Sequence, residues 1–387
     1  MTLIAVEPIP HAELADELLR PSFLDRNRTY SASPLYYLSI SAALNSTSLP
    51  LRLTDRNGHT SIVLGRLRKE ASRARLGYLN IRLPHLLTYT IIYQGIFGRC
   101  DPDAIARTLA RWLRRQYGVE QLVFTKLPAA SELAQSVQST RLSTALTAEA
   151  HWRLELPDTF EALLAQHSSK HRQRLRWERR KLEDSMNGQM NHVVLGSVDE
   201  TSLILQTCEA ISGHTYHATV GGMVRDDHVW RTVLTTLAES GSLACHQFRH
   251  NNDPLAFVLT AHHGGIVHIL AMAHLPEHSR YSPGKHLLLE VIRQSCESGL
   301  RWIDYGFGDA QYKRVYGSHC EWEMTLLQSA PTLKAQFANR TVGTAATLNN
   351  TVQRIAGTTL AGRVKRRWRS LAAGRTKALR LEGSDNE

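Results

Sequence analysis

Residues 242–275, SLACHQFRHNNDPLAFVLTAHHGGIVHILAMAHL, contain three apolar runs of strand length, interrupted at Asn251-Asn252-Asp253 and at His263-Gly264-Gly265. Asn and Gly accept the left-handed backbone that tight turns require, so the segment predicts a three-strand meander. Downstream, YSPGKHLLLEVI (residues 281–292) turns into a helix that runs to about Ser298, stops at Gly299 and gives way to the short strand LRWIDYG. Upstream, ETSLILQTCEAIS (200–212) and HVWRTVLTTLAESG (228–241) repeat apolar residues at helical spacing. Helix, helix, meander, helix, strand is an α+β order.

The N-terminal half echoes it. PLYYLSISAALN (34–45) reads as a helix, and LPLRLTDRNGHTSIVLGRL (49–67) as a hairpin with Asn57-Gly58 in the turn. DPDAIARTLARWLRRQYGVEQLVF (101–124) is a helix, a Gly stop and a strand, so Gly118 stands where Gly299 stands in the second half. An internal duplication follows, with one domain over 1–150, a second over 151–330 and a basic tail over 331–387.

Composition narrows the class. The chain has 387 residues and a formal net charge of +11, concentrated in a tail with eight basic residues and no acid from Arg363 to Arg380. Such a tail is either a solvated extension or an arm for phosphate-bearing partners, an anionic membrane face included. GRVKRRWRSLAA (362–373) can form a basic amphipathic helix. No apolar run reaches membrane-spanning length, and the first residues lack an export-signal pattern, so the expected location is the cytoplasm, with possible attachment to the inner face of the membrane. Five cysteines without a Cys-x-x-Cys pair predict neither a disulfide framework nor a zinc site, and scattered His-x-x-His spacings predict no metal.

Three stretches could carry chemistry. In YSPGKHLLLEVI, Pro283 fixes φ, Gly284 allows close approach, and the first N–H groups of the helix lack partners, so Ser282, Pro283, Gly284, Lys285 and His286 could hold a diphosphate. In DYGFGDAQYKRVYG (304–317), Asp304 ends a strand and Asp309, Tyr312 and Lys313 follow on a Gly-rich loop. HSSKHRQRLRWERRKLED (167–184) is a basic helix, either a solvated face or a source of arginines such as Arg172 and Arg176 for a phosphate-bearing substrate.

Together, YSPGKHLLLEVI and GLRWIDYGFGDAQYK resemble the GNAT (GCN5-related) acyltransferases, and more narrowly the CelD-like branch of bacterial polysaccharide operons, distantly similar to the FemABX transferases. The resemblance implies tandem GNAT-like domains, each a mixed, mostly antiparallel sheet flanked by helices. It implies N-acyl transfer from acetyl-CoA or another acyl-CoA to an amine, such as an amino sugar or cell-envelope precursor. Residues 282–286 would then bind the cofactor, while Arg172, Arg176, Asp309 and Lys313 would contact substrate. The pantetheine arm would lie along VHILAMAHL, making His274 or Asp304 the base and Tyr312 the donor to the leaving thiolate. The loop departs from the usual Gln/Arg-x-x-Gly-x-Gly/Ala, reading Tyr281-x-x-Gly284-x-His286. Two other readings stay open: aminoacyl transfer from tRNA, and a non-catalytic module that binds polyanions or a membrane surface. DNA is not an expected partner.

Overall fold

The structure is a computed structural model that describes residues 5–20, 29–76, 79–213 and 224–355. Residues 214–223 and the basic amphipathic helix and tail expected beyond 355 lie outside the described residues.

The first half opens with β1 (Ala5–Pro8), α1 (His11–Leu18) and α2 (Pro34–Ala43). Ser33 starts α2 by accepting the Tyr36 N–H, with Pro34 at the first helical position where no N–H is needed. A short β2 (Thr47–Ser48) and β3 (Leu51–Thr54) precede the long hairpin of β4 (Thr60–Leu76) and β5 (Leu79–Gly98). Helix α3 (Pro102–Tyr117) is capped by Asp101 and stops at Gly118 with φ 71°. It returns the chain to β6 (Gln121–Pro128), parallel to β5. Then come α4 (Glu132–Gln138), β7 (Ser143–Ala145) and β8 (Glu149–Glu155).

The second half repeats the plan. Helices α5 (Phe160–Ala165) and α6 (Ser169–Ser185) lead to β9 (Met190–Leu195), α7 (Thr201–Gly213) and α8 (His228–Glu239). The meander is β10 (Leu243–His250), β11 (Asp253–His263) and β12 (Ile266–His274). Helix α9 (Pro283–Glu297) crosses over to β13 (Trp302–Phe307), parallel to β12, and α10 (Gln311–Tyr316), β14 (His319–Ser329) and α11 (Leu333–Ile355) finish the described chain.

Among the described residues fourteen strands join one sheet, ordered β1-β3-β4-β5-β6-β14-β8-β13-β12-β11-β10-β9, with β2 on β4 and β7 on β14. The fold is thus the α+β tandem that the sequence predicts. One feature was not expected: the halves exchange their last strands. β8 follows the first half yet pairs with β13 of the second, and β14 follows the second half yet pairs with β6 of the first. β8 and β14 pair antiparallel between them.

Each parallel pair is a fork. β5 and β6 pair only from Thr88 to Ile91, after which Ile92–Gly95 bulge out of β5 opposite Leu64. β12 and β13 pair only from Ile266 to His268, after which Leu270 is the extra residue of a bulge against β11. A bulge bends its strand and ends regular pairing, so both forks open at equivalent places.

Packing locks the second fork. One face of β10–β12 buries Phe248, Val258 and Val267 against Leu287, Leu288 and Ile292 of α9. The other buries Cys245, Phe257 and Leu259 against α7, α8 and Ile40 of α2. Helix α11 lays Ala335, Ala338 and Ala345 on Leu83 and Leu86 of the long hairpin.

Candidate active site

At the second fork His268 and Asp304 are register partners, the last pair before β12 and β13 part. Two clefts meet there, and both residues line each of them. The first cleft, about 590 Å³, lies in the fork of β5 and β6 and is mainly apolar, with Lys126, Arg153 and Arg301 at its edges. The second, about 690 Å³, runs along Ile269–Ala273 and Tyr305–Phe307 to Tyr312 and Lys313. Both sizes suit small-molecule binding.

The strand exchange builds the floor. His151 of β8 reaches Asp304 with Nε2 at 2.7 Å and Glu323 of β14 with Nδ1 at 2.7 Å. The phenol of Tyr93, from the β5 bulge, lies 3.0 Å from His151 Nδ1 and donates to Glu323 at 3.3 Å. Arg153 completes the group, 3.8 Å from Asp304 and 3.9 Å from Glu323. His151, Glu323 and Asp304 are all buried. Two carboxylates therefore face two groups that can hold positive charge.

That arrangement sets the charges. Burial raises the pKa of Asp304, but hydrogen bonds and charge from His151 and His268 prevail and hold the carboxyl well below its usual range. For His151 burial works against the proton, and the bonds to Asp304 and Glu323 outweigh it, raising the pKa. His268 places Nδ1 3.5 Å from Asp304 Oδ2, while its buried Nε2 has no hydrogen-bond partner among the described residues. The ring is backed edge-on by Tyr30, 5.1 Å between centroids. An imidazole held by a carboxylate on one nitrogen and open on the other is the arrangement of a general base.

The residues singled out from sequence are divided among several places. Asp304 is at the centre. Tyr312 and Lys313 line the second cleft. Burial raises the Tyr312 pKa to about 12. Buried Lys313 donates to the carbonyls of Gly306 (3.2 Å) and Phe307 (2.6 Å), and desolvation lowers its pKa to about 8. Asp309 is ion-paired with Arg314 at the surface. His274 lines neither central cleft. Its Nε2 is 3.2 Å from Ser279 Oγ, and a Cβ on Gly284 would come within 3.2 Å of its Nδ1, so this glycine makes room for the imidazole.

The loop at the start of α9 differs from the expected main-chain cradle. The Ser282 N–H bonds to the Ser279 carbonyl, those of Lys285 and His286 bond to the Ser282 carbonyl, and Pro283 has none. Gly284 is left. The Lys285 ammonium is ion-paired with Glu178 of α6, which also accepts from Arg174 at 2.9 Å. Ser282, Lys285, Arg174 and Tyr312 share a cleft of about 330 Å³ between α6, α9 and α10. His286 is buried on the other flank of α9, beside Arg176. Arg172 bonds the His167 carbonyl at 2.6 Å.

Sequence reasoning missed His151, Arg153, Glu323 and Tyr93 and passed over His268. A signal existed for two of them: EAHWRLE alternates, and His151 and Arg153 fall on one face of that strand.

This geometry can be set against known proteins. Residues 169–314 match the family described as Acetyltransferase (GNAT) domain. The match runs from α6 into α10 and includes the second fork. No curated protein matches the chain. Among solved structures, FemX aligns with a TM-score of 0.54 at 10% identity, covering 82% of this chain and 96% of its own. A conserved Bacteroides thetaiotaomicron protein of unknown function aligns at 0.50 and 11%, covering 84% and 100%. A tandem GNAT protein from the clavulanic acid biosynthesis pathway aligns at 0.47 and 11%, covering 85% and 99%. At such identities the likeness to the first two is one of fold. Among the described residues no helix is long and apolar enough to cross a membrane, and no His, Cys, Asp and Glu side chains gather as metal ligands do.

Proposed function

We propose that the protein is an N-acyltransferase whose donor thioester lies in the second fork and whose acceptor amine arrives through the first. The carrying observation is the His268–Asp304 pair, the point that both clefts share. His268 Nε2 takes the proton from the amine as its nitrogen attacks the thioester carbonyl. The C–N bond forms, the C–S bond breaks, and the Tyr312 phenol supplies a proton to the departing sulfur. The main chain at the Leu270 bulge, released from pairing, supports the carbonyl oxygen. His151, Glu323 and Arg153 touch no reacting atom; they fix Asp304 and through it the His268 ring.

An acyl-CoA donor fits the apolar second fork. Its phosphates would meet the Arg174 and Lys285 side chains, two cations sharing one carboxylate, rather than a row of main-chain amides. The acceptor class that suits the first cleft is an amine on a partly apolar, partly anionic molecule, since Lys126, Arg153 and Arg301 edge an apolar wall. An amino sugar phosphate or envelope precursor meets that description, and the reading takes the cytoplasmic face of the membrane as the place of work.

The test is thiol release from acetyl-CoA with a panel of neutral and anionic amines. Turnover that His268→Ala reduces by 10² or more, as expected for a general base, supports the reading. If CoA esters neither stabilise the protein nor turn over, it fails. The pairing of the Ser282, Lys285 and His286 amides favours a second reading in that event, a donor without CoA such as aminoacyl-tRNA, detected as binding that weakens steeply with salt.

A further inference from the structure

A third groove plays no part in the chemistry above. It lies between α5, α6 and α9, encloses about 580 Å³ and has an apolar floor of Phe160, Leu164, Leu175 and Leu289. Its rim carries Arg176, Arg179, Arg180 and Arg293 against Glu183 and Glu290, a surplus of two positive charges. Two of those arginines have interactions of their own. Arg179 pairs with Glu183 at 2.6 Å and stacks over Phe248, and Arg293 stacks over Phe160 at 4.9 Å. Arg176 and Arg180 are exposed and have no ion-pair partner among the described residues.

Beneath them lies an unspent polar atom. His286 is 4% exposed, lines this groove, and its Nε2 has no hydrogen-bond partner among the described residues. The nearest carboxylate, Glu178, is 4.0 Å away and already serves Lys285 and Arg174. Burial first, then the charges of Lys285 and Arg179, lower its pKa to about 4, so the ring is neutral at physiological pH and can carry a hydrogen on Nε2. Buried polar atoms in native proteins are nearly always bonded, so an unbonded one on a side chain that lines a groove marks a place for a ligand acceptor.

We propose that this groove binds a small amphiphilic anion, a phosphate or carboxylate on an apolar chain. The chain lies on Phe160, Leu164, Leu175 and Leu289. The headgroup meets Arg176 and Arg180, and His286 Nε2 donates to an oxygen at the junction of the two. The chain's own basic segment, Arg363–Arg380, carries the same sign of charge as the rim and is excluded as occupant on that ground.

Calorimetry and thermal shift on the full chain test this with three probes below micelle concentration: dodecyl phosphate, dodecyl maltoside and inorganic phosphate. Dodecyl phosphate is expected to bind at least tenfold more tightly than either control. R176M/R180M should weaken it at least tenfold while leaving the melting temperature of the free protein unchanged, and L164W, which fills the groove from its floor, should abolish it. His268→Ala should bind the probe normally, which separates this site from the transferase reading. Equal response to dodecyl maltoside, retention by R176M/R180M, or displacement of the probe by acetyl-CoA each overturns the proposal. So does adhesion to phosphatidate vesicles without binding of the monomeric probe, which would assign the face to a bilayer.

Discussion

His268 and His274 lie six residues apart on one strand, and simple alternation would put both on the same face. They point to opposite faces. The extra residue at Leu270 reverses the phase, so His268, Ala271 and Ala273 face α7 and α8 while Met272 and His274 face α9. This is why Asp304 was legible, at a strand end before a Gly-rich loop, whereas its partner imidazole was not. Asp304→Asn should lower turnover with His268→Ala. It should also cost about 3–5 kcal/mol in urea unfolding, because it leaves the buried His151 and the half-buried Arg153 with one carboxylate. His286 makes a separate pH prediction. Its folded pKa of about 4 lies below the usual 6.5, so the unfolded chain binds the extra proton and stability falls as pH drops from about 6.5 to 4. His286→Leu should remove a contribution of order 3 kcal/mol from that acid limb. His151 acts with the opposite sign, its raised pKa giving stability that is lost as pH rises through it.

At the level of elements, the helices and their stops were readable because caps and glycines are local signals. Ser168 caps α6, Asp101 caps α3, and Gly118 and Gly299 adopt positive φ beyond α3 and α9. The meander was readable from its turns. The bulges were not, since a single extra residue leaves no mark in an apolar run. Deleting Leu270 should restore strict alternation in β12, turn Ala271–His274 over and bring turnover to background while far-ultraviolet circular dichroism keeps its α+β shape. Leu288→Ala, by contrast, removes a fully buried side chain between α9 and the sheet and should cost about 2–5 kcal/mol without changing the pH dependence of turnover.

Across the whole molecule, the duplication was visible in the repeated helix-Gly-strand order, but the strand exchange was not. Periodicity says which side of a strand is buried and nothing about which distant strand it joins. His151 and Glu323 are 172 residues apart in sequence and 2.7 Å apart in space. A domain boundary at residue 150 therefore cuts through β8 (Glu149–Glu155), a strand that pairs with β13 of the other half. A fragment of 156–387 should aggregate alone, because β13 loses its neighbour β8, and co-expression with 1–155 should return it to the soluble fraction as a complex on size-exclusion chromatography.

The position of β14 also bears on how the chain is made. Glu323 sits on the last strand to join the sheet, between two strands that leave the ribosome long before it. Until translation passes Ser329, β6 and β8 keep open backbone edges and His151 has one carboxylate instead of two. A product cut short before His319 thus lacks the finished centre and keeps both edges open, so the site is assembled only when β14 has closed the gap between β6 and β8.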